Sequence, residues 1–156
     1  MHNRPSAYGQ RQTRQRANDL FESSWRQGQI KRLWAWLQGQ SRQLPLLSDI
    51  EAQYTDVPVR ELGLRPIRLD QIIGTQGKIS FDKDFLPLQR RSKNRWVSVA
   101  VAVLTDATSL PPAEVVQVGE QYYVGDGNHR VSVAKALDNL YIDAEVTQWV
   151  IDESGE

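Results

Sequence analysis

The chain has 156 residues with basic and acidic side chains in equal number, 19 of each; hydrophobic residues make up 40%, charged residues 24%, and cysteine is absent. That length suits about one domain with a sizeable core, and the missing cysteine excludes disulfides, thiolate metal sites and cysteine nucleophiles. No run of about 18 apolar residues occurs and "MHNRPSAYGQRQTRQR" lacks the apolar segment of a secretory signal, so no membrane partner and a cytoplasmic location are expected.

Residues 1–8, with Pro5 and Ser6 ahead of Gly9, read as a disordered start. From Gln10 to Gln40, Leu20, Phe21, Trp25, Ile30, Leu33, Trp34 and Leu37 recur at helical spacing, with Gly28 bending or dividing the helix and Gly39 stopping it. Three tryptophans left in water would form an unusual apolar patch, so this arm is expected to dock through Trp25, Trp34 and Trp36; a partner surface is the alternative. Residues 1–42 carry eight Arg or Lys against Asp19 and Glu22, a balance of +6, and the rest carries eleven against seventeen, a balance of −6. A basic arm on an acidic body either folds back onto that body or contacts nucleic acid, here DNA through residues 10–42.

Residues 41–66, with Pro45, Pro58, Gly63 and Pro66, read as an irregular connection. "RPIRLDQIIG" predicts a short strand near 67–71, closed by Gly74. "GTQGKISFDKDFLPL" is a turn-rich loop whose Phe81, Phe85 and Leu88 plug the core. Asp82 and Asp84 within it could hold a cation, although loop carboxylates are more often simply solvated. "NRWVSVAVAVL" is ambiguous: its valines favour a strand, whereas Val97, Val101 and Leu104 fit a helical face. Val115–Val118 and Gln121–Val124 flank Gly119-Glu120 as a hairpin. A helix near 129–138 places Val131, Ala134 and Leu137 on one face, and Ile142, Ala144 and Val146 alternate as a final strand. The order predicts a mixed α/β domain behind a helical arm.

The stretch "VGDGNHRVSVAKAL" carries the chemistry. Gly125 and Gly127 let the backbone turn tightly and approach a ligand. A glycine turn between a strand and a helix presents outward amides that carry partial positive charge, which is a ready anion site. Arg130 supplies a fork for two phosphate oxygens, His129 a further hydrogen bond, and Asn128 a donor or a cap. Asp126 would repel a phosphate unless Mg²⁺ lies between them or it acts as a base on a hydroxyl. The plain alternative is that Asp126 or Asn128 caps the helix while Arg130 pairs with a surface carboxylate.

"LPPAEVVQVGEQYYVGDGNHRVSVAKAL" resembles the segment of ParB-like proteins in which two strands lead into a Gly-x-x-Arg turn and an Ala-bearing helix. It is also similar to the Gly-Gly-Cys-His-Arg turn of sulfiredoxin and, more closely, to the Asp-Gly-His-His-Arg-Val-Ser-Val-Ala turn of small bacterial ParB-like proteins. The likeness extends over roughly Ile67 to Trp149 and leaves the arm outside. It implies a ParB/sulfiredoxin-like small mixed sheet flanked by helices. It also makes "NRWVSVAVAVL" a helix, giving strands near 67–71, 114–118, 121–125 and 142–147 and helices near 92–104 and 129–138.

In that superfamily the turn binds nucleotide phosphates: CTP in ParB proteins, ATP in sulfiredoxin, a phosphate donor in a free-serine kinase. Carried over, Gly127, Asn128, His129 and Arg130 hold the phosphates of ATP or CTP; the reading of the turn itself adds Gly125 beside them, Asp126 as the holder of Mg²⁺, and Asp126 and His129 as the catalytic candidates. Asn128 stands where sulfiredoxin has its cysteine, so reductase chemistry is not expected. ParB proteins usually carry Glu at the Asn128 position and a further Arg at the Ser132 position. Their DNA-reading helix-turn-helix domain is not expected after Trp149.

The expected organisation is a disordered 1–8, a helical arm and connection over 9–63, a ParB/sulfiredoxin-like domain over 64–150 and a tail over 151–156. The leading functional expectation is a nucleotide-binding domain, with nucleotide hydrolysis or phosphoryl transfer as its candidate reactions. Two alternatives stay open: a DNA-associated accessory protein that grips phosphates with its arm, and a nuclease. The last is thinly supported by one His beside one Asp. A homodimer is among the expected assemblies.

Overall fold

Ser6 starts the first helix by accepting a hydrogen bond from the Gly9 amide at 3.2 Å, a side-chain cap for an otherwise orphaned donor. The computed structural model describes residues 6–151. Helix α1 runs without interruption from Ala7 to Leu37. Of the expected disordered start over 1–8, Ser6 is instead the cap of α1 and Ala7 and Tyr8 lie in its first turn, while residues 1–5 lie outside the described residues.

Gly28 does not divide α1. A Cβ there would sit 3.3 Å from Leu86 Cβ and 3.0 Å from Arg32 Nη1, so the glycine permits close approach of the loop to the helix. The buried face of α1 is Ala17, Phe21, Ser24, Gly28 and Ala35, a stripe of mostly small residues at helical spacing. Phe21 meets Trp96 edge-on at 5.6 Å, and Glu22 accepts from Arg90 and Lys93 at 2.5 and 2.7 Å. The arm thus docks, but of its three tryptophans only Trp25 takes part, half-buried against the core beneath the Arg90 guanidinium; Trp34 and Trp36 are 60% and 74% exposed.

After the short helix α2 (Ser48–Glu51), the chain forms strand β1 (Val59–Arg68) and strand β2 (Ile72–Thr75). The last part of the expected connection over 41–66 and the expected strand at 67–71 are thereby redrawn. Residues 59–68 are a strand, and 69–71 is a 3₁₀ turn. Pro66 is compatible because β1 is an edge strand, and Gly63, at φ 73°, sits where the register slips. Both features belong to edges and bulges.

Helix α3 (Lys93–Asp106) follows, then strand β3 (Ala113–Val118) and strand β4 (Gln121–Asp126) as a hairpin, helix α4 (Asn128–Ala136) and strand β5 (Tyr141–Trp149). "NRWVSVAVAVL" is helical because its apolar residues form one face: Trp96, Val97 and Ala100 are buried. The sheet order is β1-β5-β3-β4-β2, antiparallel for β1/β5 and β3/β4, parallel for β5/β3 and β4/β2. Among the described residues the fold is a mixed α/β arrangement of five strands and four α-helices.

The main core lies between the sheet and the helices α1, α3 and α4, with Trp96, Val97, Val124, Val131 and Val146 at its centre. Each such side chain contributes roughly 1.5–3 kcal/mol by leaving water. Within this core the Trp96 indole donates to Ser132 Oγ at 2.8 Å, which donates to the Phe85 carbonyl at 2.6 Å. This chain of bonds ties α3, α4 and the loop after β2 together, and so fixes where α4 begins.

Candidate functional site: the cleft at the head of α4

Strands β2 and β4 are parallel neighbours, Thr75 opposite Val124, so the segments that leave them emerge at the same end of the sheet. Carboxyl ends of adjacent parallel strands are where open α/β sheets form ligand crevices. Thr75 Oγ1 donates to the Val124 carbonyl at 3.1 Å and accepts from the Gly77 amide at 3.0 Å; the Gln76 amide also donates to Val124 at 2.8 Å. The 76–78 loop is therefore fastened beside the 125–130 turn.

Gly127 adopts φ 106°, a left-handed conformation that favours glycine. A Cβ there would approach Arg130 Nη2 to 2.8 Å and Ala113 Cβ to 3.1 Å, so the glycine serves both the turn and the close approach of Arg130. The first bond of α4 runs from the Val131 amide to the Gly127 carbonyl at 3.0 Å. The amides of Asn128, His129 and Arg130 thus have no partner within the helix. Neither Asp126 nor Asn128 caps it, because no side chain bonds its start. The capping half of the plain alternative does not form, whereas its other half, Arg130 paired with an exposed carboxylate, does, to Asp126.

These elements enclose a cleft of about 440 Å³ lined by the whole 125–130 turn together with Lys78, Ser80, Phe81 and Arg95. Sequence reasoning missed Lys78, Ser80 and Arg95. A signal existed for Lys78 alone, in the Gln-Gly-Lys run that leaves β2. Of the lining residues, Asp126 is the one carboxylate. Its Oδ2 accepts from Arg130 Nη2 at 3.1 Å; its side chain is 68% exposed, and that of Arg130 only 12%.

Three consecutive residues each hold a buried polar atom without a hydrogen-bond partner among the described residues: Asn128 Oδ1, His129 Nε2 and Arg130 Nη1. An unsatisfied buried polar group costs about 1–3 kcal/mol, so three in a row mark a site poorly completed by protein alone. The imidazole of His129 stands edge-on to Phe81 at 5.0 Å. Burial, reinforced by the positive charge of Arg95, lowers its pKa from 6.5 to about 4. His129 is therefore neutral at pH 7 and either donates or accepts at Nε2 according to tautomer.

Asp82 and Asp84, considered above as cation ligands, are spoken for by the protein. Asp82 is 1% exposed; its Oδ2 accepts from Arg42 Nε and Nη2 at 3.1 and 3.0 Å, its Oδ1 from the Asp84 and Leu86 amides at 3.0 Å. Asp84 accepts from Arg42 and from Lys31. Against the opposing effect of burial, those two bonds hold its carboxyl below the usual carboxylate range. Part of the basic arm thus folds back onto the acidic body. Among the described residues no group of three or more His, Asp or Glu side chains could hold a metal, and no helix is long and apolar enough to cross a membrane.

No family model matches the chain, and no curated protein does. Among solved structures it is similar to sulfiredoxin from Arabidopsis thaliana, at 16% identity and a TM-score of 0.39, over 53% of this chain and 82% of that one.

Proposed function

We propose that the cleft at the head of α4 binds the phosphate groups of a nucleotide. The observation that carries this reading is the run of unpartnered buried polar atoms on Asn128, His129 and Arg130 at a helix start whose amides point outward. Phosphate suits the site because its oxygens accept from several directions at once, as the Arg130 fork and the α4 amides require. Lys78 and Arg95 add positive charge to the lining. A nucleotide, rather than free phosphate, is favoured by a second cleft of about 410 Å³ that also includes Arg130. There Val103, Leu110, Pro112 and Ile142 give apolar walls for a base. The resemblance to ParB-like proteins and sulfiredoxin in the Gly-x-x-Arg turn points the same way, and ATP and CTP are the nucleotides it suggests.

Mg²⁺ fits this reading in one limited way. Magnesium at nucleotide sites takes one or two carboxylates and completes its shell with phosphates and water, and Asp126 is the carboxylate at hand. Bound there, the metal would offset the repulsion between Asp126 and the phosphates. Hydrolysis or phosphoryl transfer would assign Asp126 and His129 as proton-handling groups, with His129 starting neutral.

Thermal-shift titrations with ATP, CTP, GTP, ADP and inorganic phosphate, each with and without Mg²⁺, test the proposal. At least one nucleotide should raise the melting temperature of the wild type and fail to raise that of Arg130→Ala. If no phosphate compound stabilises the wild type, the turn is structural.

One observation favours a second reading, binding of nucleic acid by the arm. Arg11, Arg14 and Arg16 are exposed on the part of α1 before Ala17, its first buried residue, and form no ion pair among the described residues. Such cations give affinity for phosphate backbones that falls steeply with salt. Absence of any DNA or RNA shift at low ionic strength removes this reading.

A further inference from the structure

Between Ile30 and Leu37, the face of α1 turned away from the body is apolar. Gly28 and Ala35 face the body, while Ile30, Leu33, Trp34 and Leu37 occupy the opposite side, each more than half exposed. The outer face of a surface helix is ordinarily polar or charged. Here the two cations of the segment turn away from that stripe, Lys31 to Asp84 at 3.2 Å and Arg32 towards Asp82 at 3.9 Å. Exposed Gln27, Gln29 and Gln38 rim it, and Trp36 extends the apolar surface along one flank. The five side chains expose on the order of 600 Å², at the upper end of what a monomer shows and near the roughly 800 Å² per partner of a stable interface.

We propose that this stripe is the seam of a homodimer in which two copies of α1 pack antiparallel about a twofold axis between Leu33 and Trp34. The spacing is self-complementary about that point: Ile30 of one copy faces Leu37 of the other, and Leu33 faces Trp34. A twofold contact requires such a match of a patch with itself. The seam is uncharged, so nothing in it attracts a phosphate backbone or an acidic peptide, and no charges oppose each other across the axis. Arg26, the next residue outward on this face, decides the direction. Parallel packing would set the two copies of Arg26 side by side, whereas antiparallel packing separates them by about 22 Å along the helix axis. The polar rim of glutamines matches the usual anatomy of an interface.

Sedimentation velocity on the full chain between about 1 and about 100 µM tests the seam, at the concentrations where interfaces of this size assemble. The wild type should be dimeric, and Leu33→Glu/Leu37→Glu should weaken the dimer at least about a hundred-fold with an unchanged far-UV spectrum, because both positions are exposed. The absence of cysteine allows direct mapping. Leu33→Cys should form a disulfide-linked dimer, as should an equimolar mixture of Ile30→Cys and Leu37→Cys. Ile30→Cys alone should not, because its two copies lie about 10 Å apart along the axis, beyond disulfide reach. A monomer across the whole range overturns the proposal. A dimer that survives the double glutamate substitution, or efficient cross-linking of Ile30→Cys with itself, does so equally.

Discussion

Two groups of cations in this molecule are finished differently. At the arm–body junction, Arg42 and Lys31 meet Asp82 and Asp84, and both oxygens of the buried Asp82 are filled by side-chain or backbone donors. Even Arg32, which leaves both terminal nitrogens without hydrogen bonds, lies 3.9 Å from the Asp82 charge. At the head of α4, Arg130, Arg95 and Lys78 line a cleft with one mostly exposed carboxylate, and three buried polar atoms there have no protein partner. The first group is compensated by the chain's own carboxylates and acts as a clamp. The second is open towards a ligand. Stability experiments should therefore see the first, and ligand experiments the second.

The largest effect expected is on the clamp. Asp82→Ala strips the buried Arg42 of its main partner, and breaking a buried pair typically costs about 3–5 kcal/mol. For a chain of this size that is a fall of about 10 °C in melting temperature. Chemical denaturation checks it, with phosphate binding measured well below the transition as the control. A nearly silent Asp82→Ala would erase the contrast between the two groups.

Arg130→Ala should do the reverse. Its one ion pair, to the exposed Asp126, is worth about 0–1 kcal/mol. A charge-assisted bond to phosphate is worth roughly 1.5–3 kcal/mol, a ten- to hundred-fold change in affinity. Calorimetric titration of the nucleotide found by thermal shift should show that loss, while the unliganded melting temperature moves by a few degrees at most.

The turn was readable in sequence because each of its requirements is local: glycines where the backbone reverses, and a helix that starts at once. The cleft was not, because Lys78 reaches it through the parallel pairing of β2 with β4, and Arg95 through the packing of α3 against α4. Strand β2 itself is four residues long, with three of them buried, too short to show a period. Strand β1 was hidden by Pro66 and Gly63, residues that only its edge position tolerates. The arm was legible as a helix, yet its docking face only in part: Trp25 packs on the core, but Trp34 and Trp36 do not, and the buried stripe of Ala17, Ser24, Gly28 and Ala35 is too small in its side chains to show an apolar period.

The pH dependence of stability sharpens the comparison further. His129 binds a proton at about 4 in the folded chain and near 6.5 when unfolded. Between those values the unfolded chain takes up the proton first, so stability holds above about pH 6.5 and declines as the pH falls towards 4. His129→Gln should flatten that part of the profile. The lowered carboxyl of Asp84 acts in a separate window, because its stabilising effect is lost only below the ordinary carboxylate range. Bound phosphate should also reduce the decline, because an anion beside His129 favours its protonated form. An unchanged slope in His129→Gln would mean that the imidazole is not desolvated as its packing against Phe81 implies.

The smallest effect expected, Asp126→Asn, is informative through its sign. Asp126 accepts from Arg130 at 3.1 Å and is mostly exposed, so the substitution should change stability by less than about 1 kcal/mol. Without metal, removing the carboxylate takes a negative charge away from the cleft and frees the Arg130 fork, so inorganic phosphate should bind more tightly, by about two- to five-fold. With Mg²⁺ and a nucleotide the direction should reverse, because the amide is a weaker magnesium ligand than the carboxylate. Parallel titrations of wild type and Asp126→Asn, with Mg²⁺ and with a chelator, give the two signs directly. Tighter binding in both conditions would make Asp126 a restraint on Arg130 alone. Weaker binding in both would mean that it orders the turn for the anion. Opposite signs are what an open cationic cleft with one carboxylate at its lip requires.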